Sequence, residues 1–131
     1  MPDSYRSKLD RLVRNELDPS DFAHVDHLGV AYEALAIHGY ADAVQKVYAG
    51  IRAMAERAGA PEKANATITW AFMSLIAERM HTMRYANAED FIARNPDLRR
   101  GDAIAQWYSP ARLRSDLART VALLPDRTPA V

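Results

Sequence analysis

Apolar residues recur along nearly the whole chain at the three- and four-residue intervals of an α-helix. The first segment already shows this spacing, in the stripe formed by Tyr5, Leu9, Leu12, Val13 and Leu17. The alternation of a half-buried strand is hard to find, and the 24 alanines favour helix further. The sequence therefore predicts an all-α protein.

Capping residues, prolines and glycines divide this pattern into five to six helices. The second helix is predicted to start at Asp18-Pro19, and Gly39 and Gly59 are predicted to end the second and third helices. The later helices are predicted at 41–58, 61–83, 89–93 and from 110 to about 121. The helix at 61–83 is apolar on most sides, which predicts a single-domain bundle packed around it. That domain spans residues 1–131, with a looser segment at 95–131.

Composition excludes several kinds of function. The chain has no cysteine, so disulfides, thiolate nucleophiles and cysteine-bound metals are absent. Its 17 basic and 17 acidic residues give a net charge of zero, which makes nucleic acid an unexpected partner. No apolar run approaches the ~18 residues of a membrane span, and the first residues lack the apolar core of a signal peptide. We therefore expect a cytoplasmic protein without a membrane partner.

Charge is unevenly distributed although its sum is zero. Residues 15–45 carry six acidic residues and no Lys or Arg, whereas residues 94–131 carry seven Arg and four Asp. Pairing within the chain, contact between two copies and a cation site are three explanations for this asymmetry. The apolar stripes of so short a chain also favour a homodimer.

His24 and His27 form the most specific candidate site. They lie one turn apart on the second predicted helix, so both imidazoles can reach one point in space. Their face borders the apolar stripe, and partly buried histidines need polar partners. Glu78 and His81 are the proposed partners on the helix at 61–83, and their Glu-x-x-His spacing is also used in di-iron and di-manganese bundles.

Three hypotheses follow for this cluster. In the first, the histidines have a structural role and hydrogen-bond Glu78 or a hydroxyl across the core. In the second, a divalent metal such as zinc, manganese or iron is bound by four residues: His24, His27, Glu78 and His81. In the third, a small molecule occupies a pocket without metal, lined by His24, His27, Asn65, Thr67 and Glu78.

No motif in the sequence identifies a reaction. Gly-rich phosphate loops, the G-x-S-x-G elbow, the H-E-x-x-H zinc motif and calcium loops are all missing. Two kinds of function therefore stay open. One is a domain that binds a small molecule or a metal, with or without enzymatic activity, and the other is a protein-interaction or assembly module without a catalytic site.

Four short stretches of the chain resemble a group of small uncharacterised bacterial helical proteins. The group has an F-x-H-x-x-H-L stretch, which matches residues 22–28, and a Y-H-x-T-x-T stretch, which aligns with residues 64–69. Residues 95–98, Asn-Pro-Asp-Leu, and residues 108–110, Tyr-Ser-Pro, are similar to its tail. The chain has Ala64-Asn65 where the group has Tyr-His. If that histidine is a ligand or a base in the group, the resemblance implies a weaker or inactive member here.

Overall fold

The computed structural model describes residues 4–128, which fold into seven α-helices and contain no β-strand. The predicted all-α class is confirmed. Residues 1–3 and 129–131, which the predicted domain includes, lie outside the described range. The helices are α1 (Tyr5–Val13), α2 (His24–Ile37), α3 (Tyr40–Arg57), α4 (Ala66–Thr82), α5 (Ala88–Arg94), α6 (Pro110–Leu113) and α7 (Asp116–Thr120).

Two of the prolines start short 3₁₀ turns rather than the long helices predicted from them. Pro19–Asp21 and Pro61–Lys63 are such turns, and α2 and α4 begin several residues later. The side chain of Asn65 caps α4 by accepting a hydrogen bond from a backbone N–H of its first turn. The single helix predicted from Pro110 is divided into α6 and α7, because Ser115 caps a new helix. Residues 4–128 therefore contain seven α-helices, where five to six were predicted.

Gly39 and Gly59 end α2 and α3 as predicted. Their φ angles are +57° and +73°, a region in which residues with a Cβ are strained. Each glycine therefore lets the chain leave one helix and turn towards the next element.

The helix at the centre of the contacts is α2. It contacts α1, α3, α4, α5 and the 3₁₀ turn at Pro96–Arg99. The helix predicted to be central, α4, contacts α2, α3 and α7, and its Ile68 is exposed. A bundle built around α4 is therefore not confirmed. The apolar residues of α4 form two separate faces, one against α2 and α3 and one against the carboxyl-terminal segment.

Two glycines let α1 lie close against its neighbours. A Cβ added at Gly29 of α2 would overlap the ring of Tyr5, and one added at Gly50 of α3 would overlap the side chain of Leu12. Tyr5 and Leu12 therefore pack directly on the backbone of α2 and α3.

The segment Asn95–Leu98 joins α4 to α2. The carboxylate of Asp97 accepts two hydrogen bonds from the guanidinium of Arg79, at 2.7 and 2.8 Å, and this contact lowers the pKa of Asp97. The neighbouring Leu98 is fully buried. Its carbonyl is thereby held opposite the first turn of α2.

The carboxyl-terminal segment consists of short elements, and Thr67 fastens it to α4. The Thr67 hydroxyl donates to the Val121 carbonyl at 2.7 Å and accepts from the Leu123 N–H at 3.0 Å. Asn65 adds a hydrogen bond to the Leu113 carbonyl at 2.8 Å. We call residues 121–125 the strap. Thr67 is 1% exposed, so its two hydrogen bonds to the strap are shielded from water.

Two acidic residues of the segment 15–45 pair with the amino-terminal helix rather than with the basic tail. Asp26 pairs with Lys8 at 3.0 Å, and Glu33 pairs with Arg6 at 2.9 Å. Arginines of the tail pair locally, as Arg119 does with Asp116. Within residues 4–128, no helix is long and apolar enough to cross a membrane.

Replacing Thr67 by Val should lower the free energy of unfolding by about 1–3 kcal/mol, because the Val121 carbonyl and the Leu123 N–H lose their partner while the shape is kept. Urea unfolding measures this loss. Thr67→Ser is the control, since it keeps the hydroxyl and should cost less than about 1 kcal/mol. Equal losses in the two variants would contradict a role for the hydroxyl.

Candidate functional site

A cavity of about 250 Å³ lies between α2, α3 and α4. Its wall is mainly apolar and is formed by Leu28, Ala31, Val47, Phe72, Met73 and Ile76. His24 and His27 from α2 and Thr69 from α4 add the polar side chains. Two further lining residues, Ile68 and Gly101, are exposed, so the cavity opens to solvent beside them.

Asp26 fixes the first turn of α2, from which both histidines project. Its carboxylate accepts a hydrogen bond from the Ala23 N–H at 2.9 Å and pairs with Lys8 on the other side. Asp26 therefore caps the helix. His24 precedes it by two residues and His27 follows it by one, and both histidines line the cavity.

His24 is oriented by the backbone of the segment Asn95–Leu98. Its Nε2 lies 2.9 Å from the Leu98 carbonyl, and its ring meets the ring of Phe72 edge-on with centroids 5.5 Å apart. Because a carbonyl only accepts hydrogen bonds, Nε2 carries a proton. In the neutral ring, Nδ1 is then a hydrogen-bond acceptor.

His27 is held in its neutral form. Its ring stacks on Phe22 with centroids 3.9 Å apart, and it lies 6.3 Å from the ring of His24. The pKa of His27 is lowered to about 4, chiefly by burial and also by the positive charge that His24 can carry, while Asp26 acts in the opposite direction. At neutral pH this imidazole therefore carries no charge.

The structure brings His24 and His27 together but places Glu78 and His81 elsewhere. Glu78 follows the cavity residue Ile76 by two positions, which is about 200° around the helix, so it lies on the opposite side of α4. His81 is exposed, with its Nδ1 2.9 Å from the Ala77 carbonyl of its own helix. The structural hypothesis names Glu78 or a hydroxyl as the partner of the histidines; Glu78 lies on the other side of α4, and the partner of His24 is the Leu98 carbonyl.

Asn65 and Thr67 also do not line the cavity. Both side chains are engaged in the hydrogen bonds that fasten the carboxyl-terminal segment to α4. Thr69, two residues further along, is the threonine that reaches the cavity. No sequence pattern predicts that Gly101 lines the cavity, because its position depends on the path of a loop far along the chain from α2 and α4.

The four predicted metal ligands do not form one group. Within residues 4–128, no three His, Asp or Glu side chains are placed to hold a common metal ion. The reason is again the helical geometry of α4, which turns Glu78 away from the histidine pair.

No protein-family model matches this chain, and no curated protein or solved structure has significant similarity to it. The resemblance to small bacterial helical proteins therefore stays a prediction.

Lowering the pH from 7 to 4.5 should destabilise the protein through His27. Its pKa is about 4 in the folded protein, against 6.5 for a histidine in water, so between these values the unfolded chain binds more protons than the folded one. Stability is then fully present above pH 6.5 and decreases as the pH falls towards 4, by about 3 kcal/mol in total.

Urea unfolding at the two pH values measures this effect in His27→Gln and in the wild type. The variant should lose about 2–3 kcal/mol less than the wild type, because Gln does not titrate. His81→Gln removes an exposed histidine and should keep the wild-type difference. The same pH dependence in His27→Gln as in the wild type would show that His27 is not held neutral by burial.

Proposed function

We propose that this protein binds a small, largely apolar molecule in the cavity between α2, α3 and α4. The observation that carries the proposal is the pair of adjacent imidazoles, one of them neutral, in an otherwise apolar cavity. Ligand sites commonly combine an apolar wall with a small number of placed polar groups.

The size of the cavity limits the ligand. An engineered apolar cavity of about 150 Å³ binds benzene. A cavity of about 250 Å³ is therefore suited to a single substituted ring or to a branched aliphatic molecule. The exposed residues Ile68 and Gly101 mark its route of entry.

The histidines favour a ligand that donates a hydrogen bond. His24 already uses Nε2 on the Leu98 carbonyl, which leaves Nδ1 as the acceptor of the neutral ring. A charged ligand loses solvation against the apolar wall and gains no opposite charge from the neutral His27. A neutral hydroxyl compound, such as a phenol or an alcohol, matches these groups best. The proposal is one of binding, and it assigns no reaction.

p-Cresol should bind in this cavity and should bind about 3- to 10-fold more tightly than toluene, because only p-cresol can donate a hydrogen bond worth about 0.5–1.5 kcal/mol. Titrations followed by ¹H–¹⁵N NMR measure both affinities. Saturable shifts are expected at the amides of His24, His27 and Thr69. The absence of saturable shifts with both probes would refute the proposal.

Gly101→Phe is designed to obstruct the mouth and should weaken p-cresol binding at least about tenfold. A Cβ at Gly101 meets no atom within 4 Å, and its φ is not positive, so the variant is expected to fold. Arg100→Phe, which adds the same ring at the neighbouring exposed position, is the control and should bind normally. Unchanged binding by Gly101→Phe would place the ligand outside this cavity.

A second candidate, a protein-interaction module, is supported by exposed apolar side chains near the carboxyl end. Leu117, Val121 and Leu124 are all exposed, and Leu124 is 78% exposed. Such side chains are typical of surfaces that contact another protein or a second copy of the chain. Sedimentation equilibrium tests the homodimer: a dimer at micromolar concentration that Leu124→Ser converts to monomer supports it, and a monomeric wild type refutes it.

A further inference from the structure

A second cavity, of about 340 Å³, lies on the opposite side of α4 from the histidines. Trp70, Leu75 and Glu78 line it from α4, and Trp107, Tyr108 and the strap close the other side. We call this cavity the tryptophan groove. The cavity at the histidines and the tryptophan groove share no lining residue.

The walls of the tryptophan groove are built by specific contacts. Trp70 packs edge-on against Tyr48 with ring centroids 5.8 Å apart. The Trp107 carbonyl accepts backbone hydrogen bonds from Asp126 and Arg127 at 3.1 and 3.0 Å. The Tyr108 hydroxyl donates to the Leu123 carbonyl at 2.9 Å. The hydrogen bond from Tyr108 holds the strap over the groove, those to the Trp107 carbonyl hold the residues that follow the strap, and Tyr48 packs against Trp70 on the other wall.

The charged side chain in the lining of the tryptophan groove is that of Glu78. The carboxylate of Glu78 has no ion-pair or hydrogen-bond partner among residues 4–128. None of the lining residues is Lys, Arg or His. Two arginines lie just outside this lining: Arg112 donates to the Leu124 carbonyl at 2.7 Å, and Arg127 donates to the Ala105 carbonyl at 3.0 Å. The carboxylate of Asp126, held by Ser109, lies near Arg112. Among residues 4–128, the carboxylate that a ligand meets inside the groove is therefore that of Glu78, while both arginines are engaged with backbone carbonyls.

Indole rings and a carboxylate both attract an organic cation. Tryptophan is the aromatic residue that binds cations best, and quaternary ammonium ions are the ligands most often recognised in this way. The apolar side chains Leu75, Ile104 and Leu123 offer contacts for methyl or methylene groups. We infer that the tryptophan groove is a second binding site, for an alkylated ammonium ion with an apolar body.

Intrinsic fluorescence tests this inference directly, because the chain has two tryptophans and both line this groove. Choline should produce a saturable change in tryptophan emission. Its neutral isostere 3,3-dimethyl-1-butanol, in which carbon replaces the charged nitrogen, should bind at least about tenfold more weakly. No saturable change with choline, or equal binding of the two compounds, would overturn the inference.

Glu78→Gln removes the charge at the rim and should weaken choline binding about 3- to 10-fold. Glu62→Gln removes an exposed carboxylate that does not line the groove, so it should bind choline like the wild type. Equal binding by Glu78→Gln and Glu62→Gln would overturn the role of Glu78. Gly101→Phe should leave choline binding unchanged, which separates this test from that of the histidine cavity.

Discussion

Small residues on α2 allow four other helices to contact it, and the rest of the structure depends on this packing. Gly29 admits the ring of Tyr5 from α1, and Ala34, which is fully buried, has only a methyl side chain. Ala31 is also buried, yet it lines the cavity towards α4. The small residues of α2 thus have two effects: they let other helices approach closely, and at Ala31 they leave part of the cavity unfilled.

The fold class, two of the helix ends and the histidine pair depend on residues close together in the sequence, so they could be predicted. Helical spacing identified the fold class, and Gly39 and Gly59 marked real ends because a positive φ is required there. His24 and His27 are brought together by the geometry of a single turn of α2, which depends on no distant contact.

The arrangement of the helices is not local, and the predicted bundle around the helix at 61–83 is not confirmed. The helix at 61–83 is apolar on most sides, a pattern that predicts enclosure by its neighbours. In the structure these residues form two faces that border two separate cavities, and this arrangement separates Glu78 from the histidines. The partners of Thr67 are 54 and 56 residues away, a distance at which periodicity carries no information.

The strap has a consequence for folding during synthesis. Its anchor at Leu123 follows the end of α4 by about forty residues, so a ribosome adding roughly 5–20 residues per second makes α4 several seconds earlier. During that interval Trp70 and Leu75 lack the cover that the strap provides. The nascent chain therefore exposes an apolar helix face of the kind that chaperones bind, and it does so until the strap emerges.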